Sequence, residues 1–281
     1  MRQLARKLIP AAYRAWLRGM YWNLRDCCER NLGLRDYLMP PQALIDRITQ
    51  GDFRTVGREF AKHFVELGGL QPHHKVLDVG SGLGRMAAPL TSYLNSPGEY
   101  WGLEITKDFV DWCKSNITPR HSNFHFIHID IYNASYNPKG KEKASALRFP
   151  FENNTFDFII LSSVFTHLLA PEVKNYLAQI SRVLKPGGTA FITYFILNEE
   201  SERLQSGASS MFNFKYPTEG GMYAIQSMPE AAIAFSESNV RSWALQAGLE
   251  LIEPIHFGNW CGRDKFVSAQ DIVIFRKVQN A

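Results

Sequence analysis

The sequence predicts an α/β fold built on a largely parallel β-sheet, and three observations support this prediction. Short apolar segments rich in β-branched and aromatic residues alternate with segments of helical length from about residue 70 onward. The apolar segments are hydrophobic on both faces, as strands are when helices cover both sides of a parallel sheet. The last two segments, 249–256 and 271–275, are separated by a loop and no helix, which predicts an antiparallel pair at one edge.

Residues 1–56 are predicted to form a basic helical extension. From residue 11, apolar residues recur at the spacing of one helix face, and arginines lie off that face. Residues 1–30 hold seven basic and two acidic residues, a net charge of +5, whereas the whole chain carries +4. Such a helix either packs on its own domain or a second subunit, or lies on an anionic membrane surface or a partner. The sequence leaves both interpretations open.

Charge and cysteine content exclude several classes of protein. Residues 31–281 carry a net charge of about −1, so the overall basic charge is no argument that the body of the chain binds nucleic acid, and no nucleic-acid partner is expected. Four cysteines at scattered positions predict reduced thiols in a cytoplasmic protein, with neither a disulfide framework nor a metal site. The arginines and Pro10 interrupt the only candidate leader, so we expect contact with a membrane to be peripheral at most.

The remaining elements are assigned to residues 57–281, the predicted main domain. A helix is predicted from 57 to about 69, where Gly68 and Gly69 end it. Strands are predicted at 75–79, 100–103, 124–129, 156–161 and 189–195, and helices at 85–94, 108–115, 171–184 and 239–247. Two insertions, 131–148 and about 197–236, fit neither pattern. Connections of that length are usually lids or binding loops, although the second insertion is also apolar enough to be a packed subdomain.

The strongest motif is VLDVGSGLGR at 76–85. An apolar strand leads into a glycine-rich turn that opens a helix, where missing side chains and free N–H groups let a ligand approach. Arg85 stands where the third glycine of a dinucleotide fingerprint would lie, and no Gly-Lys-Ser/Thr of a P-loop follows. Asp78 would repel a phosphate and attract a cation. The motif therefore argues against a nucleotide-dependent oxidoreductase, which is one alternative function for a chain of this fold class.

Two further carboxylates follow the next two predicted strands. Glu104 lies 22 residues after Gly82, where an acid can accept both ribose hydroxyls of a nucleoside. Asp130 ends the third strand and is placed to accept from an adenine amino group. Three acids at successive strand ends, with no phosphate-binding lysine, indicate a ligand with an adenosine half and a positive or zwitterionic half.

Together these motifs resemble the class I S-adenosylmethionine-dependent methyltransferases. The resemblance covers about residues 70–197 well and continues through the C-terminal strands to Arg276; its further motifs are GLEI, RFPFENNTFDFIILSSVFTHL and ISRVLKPGGTAFITYF. It implies a Rossmann-like seven-stranded sheet of order 3-2-1-4-5-7-6, with strand 7 antiparallel and helices on both faces. It also implies S-adenosyl-L-methionine as the cofactor and S-adenosyl-L-homocysteine as the product.

The resemblance assigns the cofactor-binding residues as well. The glycine loop and Asp78 would hold the methionine end, Glu104 the ribose and Asp130 the adenine, while the end of the fourth strand would face the sulfonium. The implied set is Asp78, Gly80, Ser81, Gly82, Gly84, Glu104, Ile105, Asp130, Ile131, Leu161 and Ser162. The insertion 131–148 is longer than in the small-molecule branch of the family and is expected to build part of the substrate rim or an oligomer contact.

Two residues after the fourth and sixth strands have open roles. His167 is predicted near the methyl donor, either as the general base that takes a proton from a hydroxyl or as a structural histidine that orients the loop. Arg263 either pairs with a carboxylate or phosphate of the substrate or is a solvated loop residue.

The sequence thus predicts methyl transfer to an oxygen of a small-molecule, glycan or natural-product acceptor. The preference for oxygen rests on His167 and on the absence of an Asn-Pro-Pro-Tyr signature. Transfer to nitrogen, sulfur or carbon stays open, as does a non-catalytic, cofactor-binding partner subunit. A homodimer is a further expectation.

Overall fold

The computed structural model describes residues 11–34, 36–48, 51–134 and 136–278. The helices are α1 (Ala11–Asn31), α2 (Gln42–Ile45), α3 (Phe53–Glu66), α4 (Ala87–Leu90), α5 (Lys107–Asn116), α6 (Ala170–Val183), α7 (Glu199–Leu204) and α8 (Glu237–Gln246). The strands are β1 (Lys75–Val79), β2 (Glu99–Glu104), β3 (Phe124–His128), β4 (Phe156–Leu161), β5 (Leu184–Tyr194), β6 (Ile196–Leu197), β7 (Tyr216–Thr218), β8 (Gly221–Tyr223), β9 (Ile233–Ser236), β10 (Leu249–His256) and β11 (Asp271–Lys277).

Seven strands form the main sheet in the order β3-β2-β1-β4-β5-β11-β10. Strand β11 is antiparallel to both of its neighbours, β5 and β10, and the other pairs are parallel. Because β10 and β11 are the sixth and seventh strands of this sheet along the chain, the predicted order 3-2-1-4-5-7-6 with an antiparallel strand 7 is confirmed.

Alternate residues of the strands face two apolar cores, one on each side of the sheet. In β4, Phe158 and Ile160 belong to the core that α3 and α5 cover, whereas Ile159 and Leu161 belong to the core that α6 and α8 cover. The prediction of helices on both faces is therefore confirmed.

The parallel register of β1, β2 and β3 brings their C-terminal ends to one edge of the sheet. Asp78 lies opposite Gly102 in β2, and Glu104 lies opposite His128 in β3. Strand β4 continues this edge, because Ile160 lies opposite Asp78. The residues that follow these strands are consequently neighbours in space.

Two helices differ in length from the prediction. Helix α3 begins at Phe53 and not at residue 57, because the Asp52 carboxylate caps it by accepting from the Thr55 backbone N–H at 2.7 Å. Helix α4 is shorter than the predicted 85–94. Where it ends, the Thr91 hydroxyl donates to the Ala88 carbonyl at 2.7 Å, a local bond of a kind that competes with helix continuation.

The insertion 197–236 holds most of a second, four-stranded sheet of order β6-β9-β8-β7. Strand β6 pairs parallel with β9, and the other two pairs are antiparallel. The aromatic rings of Phe195, Phe214 and Trp260 pack beside this sheet in a third apolar cluster. The strands have two to four residues each, too few for an alternating pattern to be visible in the sequence.

The N-terminal helix α1 leaves several apolar side chains exposed, including Leu17 and Leu24. Near its C-terminal end, the buried Asp26 accepts from the backbone N–H of Gln42 at 2.9 Å and links α1 to α2. Among the described residues, no helix is long and apolar enough to cross a membrane. The division at residue 56 stays a prediction.

Candidate active site

A cavity of about 430 Å³ opens at the C-terminal edge of β1, β2 and β4. Its walls come from the glycine loop after β1, the residues after β2 and β4, and parts of both insertions. Three side chains from the N-terminal segments, Ile48, Val56 and Phe60, complete it. Of the predicted cofactor-binding residues, those that line this cavity are Gly80, Ser81, Gly82, Glu104, Ile105, Ile131 and Ser162.

The glycine loop is bent tightly against β2. The backbone N–H groups of Gly80 and Ser81 both donate to the Leu103 carbonyl, at 2.8 and 3.0 Å. A Cβ atom at Gly80 would lie 2.5 Å from Val164 Cγ2, so this position has no room for a side chain. At Gly82 the nearest atom would be Ile48 Cδ1 at 3.8 Å, so the loop backbone is open to the cavity there. A ligand can therefore approach the backbone closely at Gly82.

Glu104 connects the end of β2 to this loop. One carboxylate oxygen accepts from the Gly82 N–H at 2.8 Å, and the other accepts from the Thr106 N–H at 2.7 Å. Burial raises the pKa of Glu104, although these backbone donors act in the opposite direction. Each oxygen retains acceptor capacity, which suits a pair of neighbouring hydroxyl groups on a ligand.

Asp78 lies beneath the loop and does not line the cavity. Its carboxylate is buried and accepts from the Tyr100 hydroxyl. Burial raises the pKa of Asp78 to about 7, against the opposing influences of that hydrogen bond and of the Arg85 charge. The Asp78 side chain lies outside the cavity wall, and its predicted contact with the methionine end of the cofactor stays a prediction.

Asp130 is covered by the insertion that follows it. Its backbone carbonyl accepts from Lys141 N and Glu142 N, both at 3.1 Å, and Asn137 Nδ2 lies 3.4 Å from its carboxylate. The cavity wall is formed by its neighbours, Ile129 and Ile131. The Asp130 side chain is not part of the cavity wall, and its predicted contact with adenine stays a prediction.

Gly84 and Leu161 also lie outside the cavity wall. A Cβ atom at Gly84 would lie 2.8 Å from Ile117 Cδ1 and 3.3 Å from Cys113 Sγ, so this glycine serves the packing of the loop on α5 and the residues after it. Leu161 is fully buried in the core below the cavity, and Ser162, the next residue, is the one that reaches it.

Two serine hydroxyls on the cavity wall have no partner. Ser81 Oγ and Ser162 Oγ are buried without a hydrogen bond. Buried polar atoms are almost always hydrogen-bonded in folded proteins, so these two indicate a polar ligand. Ser81 fits beside β2 only because residue 102 is glycine, since a Cβ there would lie 2.7 Å from Ser81 Oγ. Arg85 lines the same region, and burial lowers its pKa.

His167 faces the cavity in a defined orientation. Its Nδ1 lies 2.8 Å from the Glu230 carbonyl oxygen, which can only accept, so Nδ1 carries the proton and Nε2 carries the lone pair. Burial lowers the pKa of His167, which keeps the ring neutral at neutral pH. The Tyr136 ring meets it edge to face at 5.9 Å. This geometry is compatible with a general base that uses Nε2, and it also fixes the ring structurally.

The two insertions meet at Glu230, next to His167. The Glu230 carboxylate accepts from Asn133 Nδ2 at 3.2 Å and from Ala134 N at 3.1 Å. The first insertion contributes Tyr132, Asn133 and Tyr136 to the cavity, and the second contributes Met211, Phe212 and Ala231. Both insertions therefore build the rim around His167.

A hydrogen-bonded network at the cavity, where Ser163 and Gln270 are lining residues, was missed by sequence reasoning. The Gln270 side-chain oxygen accepts from Ser163 Oγ at 3.0 Å and from Thr193 Oγ1 at 2.6 Å, and Thr193 Oγ1 accepts from Ser163 N at 2.8 Å. Ser163 has φ +60°, a conformation that is rare outside glycine. Gln270 immediately precedes β11, and no motif in the sequence marks it.

Both interpretations of Arg263 were wrong. Its side chain is buried, donates to Glu200 at 2.7 Å, and lies 3.3 Å from the Asp271 carboxylate. Asp271 in turn accepts from Trp260 Nε1 and Ile196 N, both at 2.7 Å. Arg263 therefore belongs to a buried polar cluster that joins β6, β11 and the loop between β10 and β11.

Among the described residues, no group of acidic, histidine and cysteine side chains could hold a metal ion.

Comparison with known proteins finds similarity in the central part of the chain. Residues 77–192 match the family described as methyltransferase domain. The chain is 32% identical over 124 residues to the ubiquinone/menaquinone biosynthesis C-methyltransferase of Wigglesworthia glossinidia brevipalpis, a match that covers 44% of each protein. It is 26% identical over 132 residues to the sterol 24-C-methyltransferase of Schizosaccharomyces pombe, covering 47% of this chain and 30% of that one.

A solved structure confirms the fold over a larger part of the chain. The PH0226 protein of Pyrococcus horikoshii OT3 is similar with a TM-score of 0.55 at 18% identity, covering 82% of this chain and 92% of that protein. The chain spans less than half of the length of the two curated relatives named above.

Proposed function

We propose that the chain, whose residues 77–192 match a methyltransferase domain, is a class I S-adenosylmethionine-dependent methyltransferase that transfers a methyl group to a largely apolar acceptor that carries a hydroxyl group. The observation that carries this proposal is one cavity with the glycine loop and Glu104 on one wall and Nε2 of a neutral His167 on another.

The cofactor wall fits the proposed cofactor. Glu104 would accept from the ribose hydroxyls, and the unpartnered Ser81 and Ser162 hydroxyls, with Arg85, would hold the amino-acid end. Ile129 and Ile131 would contact the flat base. When bound, S-adenosylmethionine supplies an electrophilic methyl group on a positively charged sulfur.

The acceptor wall would orient and deprotonate the second substrate. Aromatic and apolar side chains, among them Phe195, Met211 and Phe212, favour an apolar molecule over a glycan. His167 Nε2 would take the proton of the acceptor hydroxyl, and the Glu230 carbonyl would stabilise the charged ring through Nδ1. The remaining rate enhancement would come from alignment of the reacting groups and from exclusion of water by the two insertions.

Oxygen is the acceptor atom that we propose first, because a base that lines the cavity, as His167 does, can act directly on a hydroxyl group. Carbon is a second candidate, since two of the relatives are named as C-methyltransferases. Deprotonation of a phenol-type hydroxyl by His167 would also make the adjacent ring carbon nucleophilic. After methyl transfer to that carbon, its ring proton would have to leave to solvent to restore the aromatic ring, a second proton transfer that O-methylation does not need.

The test uses S-adenosylmethionine with a ¹³C-labelled methyl group and a metabolite extract separated into apolar and polar fractions. We expect label in the apolar fraction, and the carbon chemical shift of the product distinguishes an O-methyl from a C-methyl group. Calorimetry with S-adenosylhomocysteine and NAD checks the cofactor. Binding of NAD alone would overturn the proposal, and cofactor binding without product from any fraction would support a non-catalytic partner subunit instead.

A further inference from the structure

The exposed face of helix α1 is the surface on which this inference rests. Leu17, Met20, Tyr21 and Leu24 fall at the spacing of one helix face, and their side chains are 40%, 43%, 59% and 62% exposed. Leu32 and Leu34, just beyond the helix, are exposed by 71% and 74%. A helix with such a pattern ordinarily buries this face against its own domain, and α1 does not.

The charge around this face distinguishes between two surfaces that could cover it, a second copy of α1 and an anionic membrane. Residues 1–30 carry a net charge of +5. Two copies of α1 packed face to face would bring these like charges together, whereas an anionic surface would be attracted to them. Aromatic and leucine side chains on one face with arginines beside it are the composition of helices that lie in a membrane interface.

We propose that α1 docks on the surface of an anionic lipid membrane, with its apolar face in the headgroup region and its arginines at the lipid phosphates. This is peripheral binding, and it involves residues that the proposed active site does not use.

Helix α1 is hydrogen-bonded to a segment of the chain that also contributes to the cavity wall, so the position of α1 bears on the cavity. Asp26 of α1 holds the N-terminus of α2 through Gln42 N, and the same segment continues to Ile48 on the cavity wall. The ion pair between Arg47 and Asp108 ties this segment to α5. Docking of α1 would therefore place the membrane against a helix that is hydrogen-bonded to a cavity-lining segment of the domain.

The experiment is sedimentation of the full chain with vesicles of equal parts phosphatidylcholine and phosphatidylglycerol, and with vesicles of phosphatidylcholine alone. The variants are Leu17→Glu with Leu24→Glu, and Arg14→Gln with Arg18→Gln. Leu245→Glu is the matched control, because Leu245 is an equally apolar residue, 68% exposed, on helix α8.

We expect the wild type and the Leu245→Glu control to sediment with the anionic vesicles and not with phosphatidylcholine alone. Loss of two arginine charges should lower partitioning about 30-fold. The double Leu→Glu variant should lose at least tenfold, because it removes apolar area and adds negative charge. Raising the salt concentration should weaken binding, since the screening length falls.

Three results would overturn the inference: absence of wild-type protein from the anionic pellet, equal partitioning of the Leu→Glu variant, or an equal loss in the Leu245→Glu control. Sedimentation velocity without lipid tests the second copy as occupant. A dimer that the Leu→Glu variant dissociates, with no vesicle binding, would assign this face to self-association. No cofactor or acceptor is present in these assays, so their outcome is independent of the proposed function.

Discussion

Glu104 is the residue on which cofactor binding depends most directly, because it touches both the glycine loop and the cavity. We predict that Glu104→Gln weakens S-adenosylhomocysteine binding by about 1–3 kcal/mol, since charged hydrogen bonds become neutral and the amide nitrogen cannot accept. Isothermal titration calorimetry measures this. Glu99→Gln, at the other end of β2 and bonded to Trp101 and Lys75, is the control and should bind normally. Unchanged affinity in a folded Glu104→Gln protein would contradict the ribose assignment.

His167 should determine the acidic limb of the pH–rate profile. Because burial lowers its pKa from about 6.5, we expect this limb to lie below that pH in the wild type. His167→Gln should lower kcat about 10²- to 10⁴-fold and remove the limb, as loss of a general base does. The control is His256→Gln, a histidine whose pKa burial also lowers but which is absent from the cavity wall. An unchanged profile in the His167 variant would leave this residue with a structural role only.

At the residue scale, the sequence could predict the positions of site residues that follow the ends of regular strands. It could not predict the positions of residues that depend on tertiary contacts. Glu104 lies where the spacing predicts it, because parallel strands share an edge. Asp130 follows the expected strand, yet it is hydrogen-bonded to the insertion 131–148 and does not line the cavity, which the sequence could not show. Gln270 could not be found, because its role depends on Ser163 and Thr193, distant in the chain.

At the scale of elements, a pair of glycines distinguishes the energetic cost of an unfavourable backbone conformation from the cost of a clash with neighbouring side chains. Gly84 and Gly69 have nearly the same φ, +75° and +71°. A Cβ at Gly84 would meet Ile117 and Cys113, whereas nothing lies within 4 Å at Gly69. Both alanine substitutions should cost about 1–2 kcal/mol of backbone strain, and Gly84→Ala should cost about 1–3 kcal/mol more because the site is filled. Urea denaturation measures the difference, and equal losses would show that packing on α5 is unimportant.

The main sheet was predictable because its strands alternate with helices and have five or more residues each. The second sheet was not, since β6, β7 and β8 have two or three residues and pair through the turn at Gly220 and across to β9. Long-range pairing of such short strands leaves no periodic signal. The exposed face of α1 could not be foreseen either, because an amphipathic pattern predicts a face and not what covers it.

At the scale of the whole molecule, the cluster around Asp271 joins distant segments. The Arg263 and Asp271 side chains are 4% and 0% exposed. Arg263→Ala should lower the free energy of unfolding by about 3–5 kcal/mol, because it leaves a buried carboxylate without its cation. Arg241→Ala, which breaks solvent-accessible ion pairs with Glu237 and Glu253, should cost less than about 1 kcal/mol. Thermal denaturation of both variants tests this, and a similar cost for both would show that burial adds nothing to the Arg263 pair.

Buried acids should also give the stability of the molecule a pH dependence. Burial raises the pKa of Asp78 from 3.8 to about 7, so the folded chain binds this proton more tightly than the unfolded chain does. The stabilisation is complete below pH 3.8 and is lost as pH rises to about 7. The full difference corresponds to on the order of 4 kcal/mol. Asp271, whose pKa burial raises to about 6, contributes with the same sign.

Asp78→Asn isolates this contribution, because asparagine can still accept from the Tyr100 hydroxyl but does not titrate. We expect the unfolding free energy of the wild type, relative to the variant, to fall steadily between pH 4 and pH 7 in urea denaturation series. Asp157→Asn is the control of opposite sign. Burial raises the pKa of Asp157, but the Lys185 ammonium and the Lys75 N–H outweigh it, and the pKa lies below its ordinary value. Its contribution is lost only as pH falls below 3.8, so the difference for Asp157→Asn should stay level from pH 4 to 7. If the difference in unfolding free energy between the wild type and Asp78→Asn is also constant from pH 4 to pH 7, the Asp78 carboxylate beneath the glycine loop is ionised throughout this range.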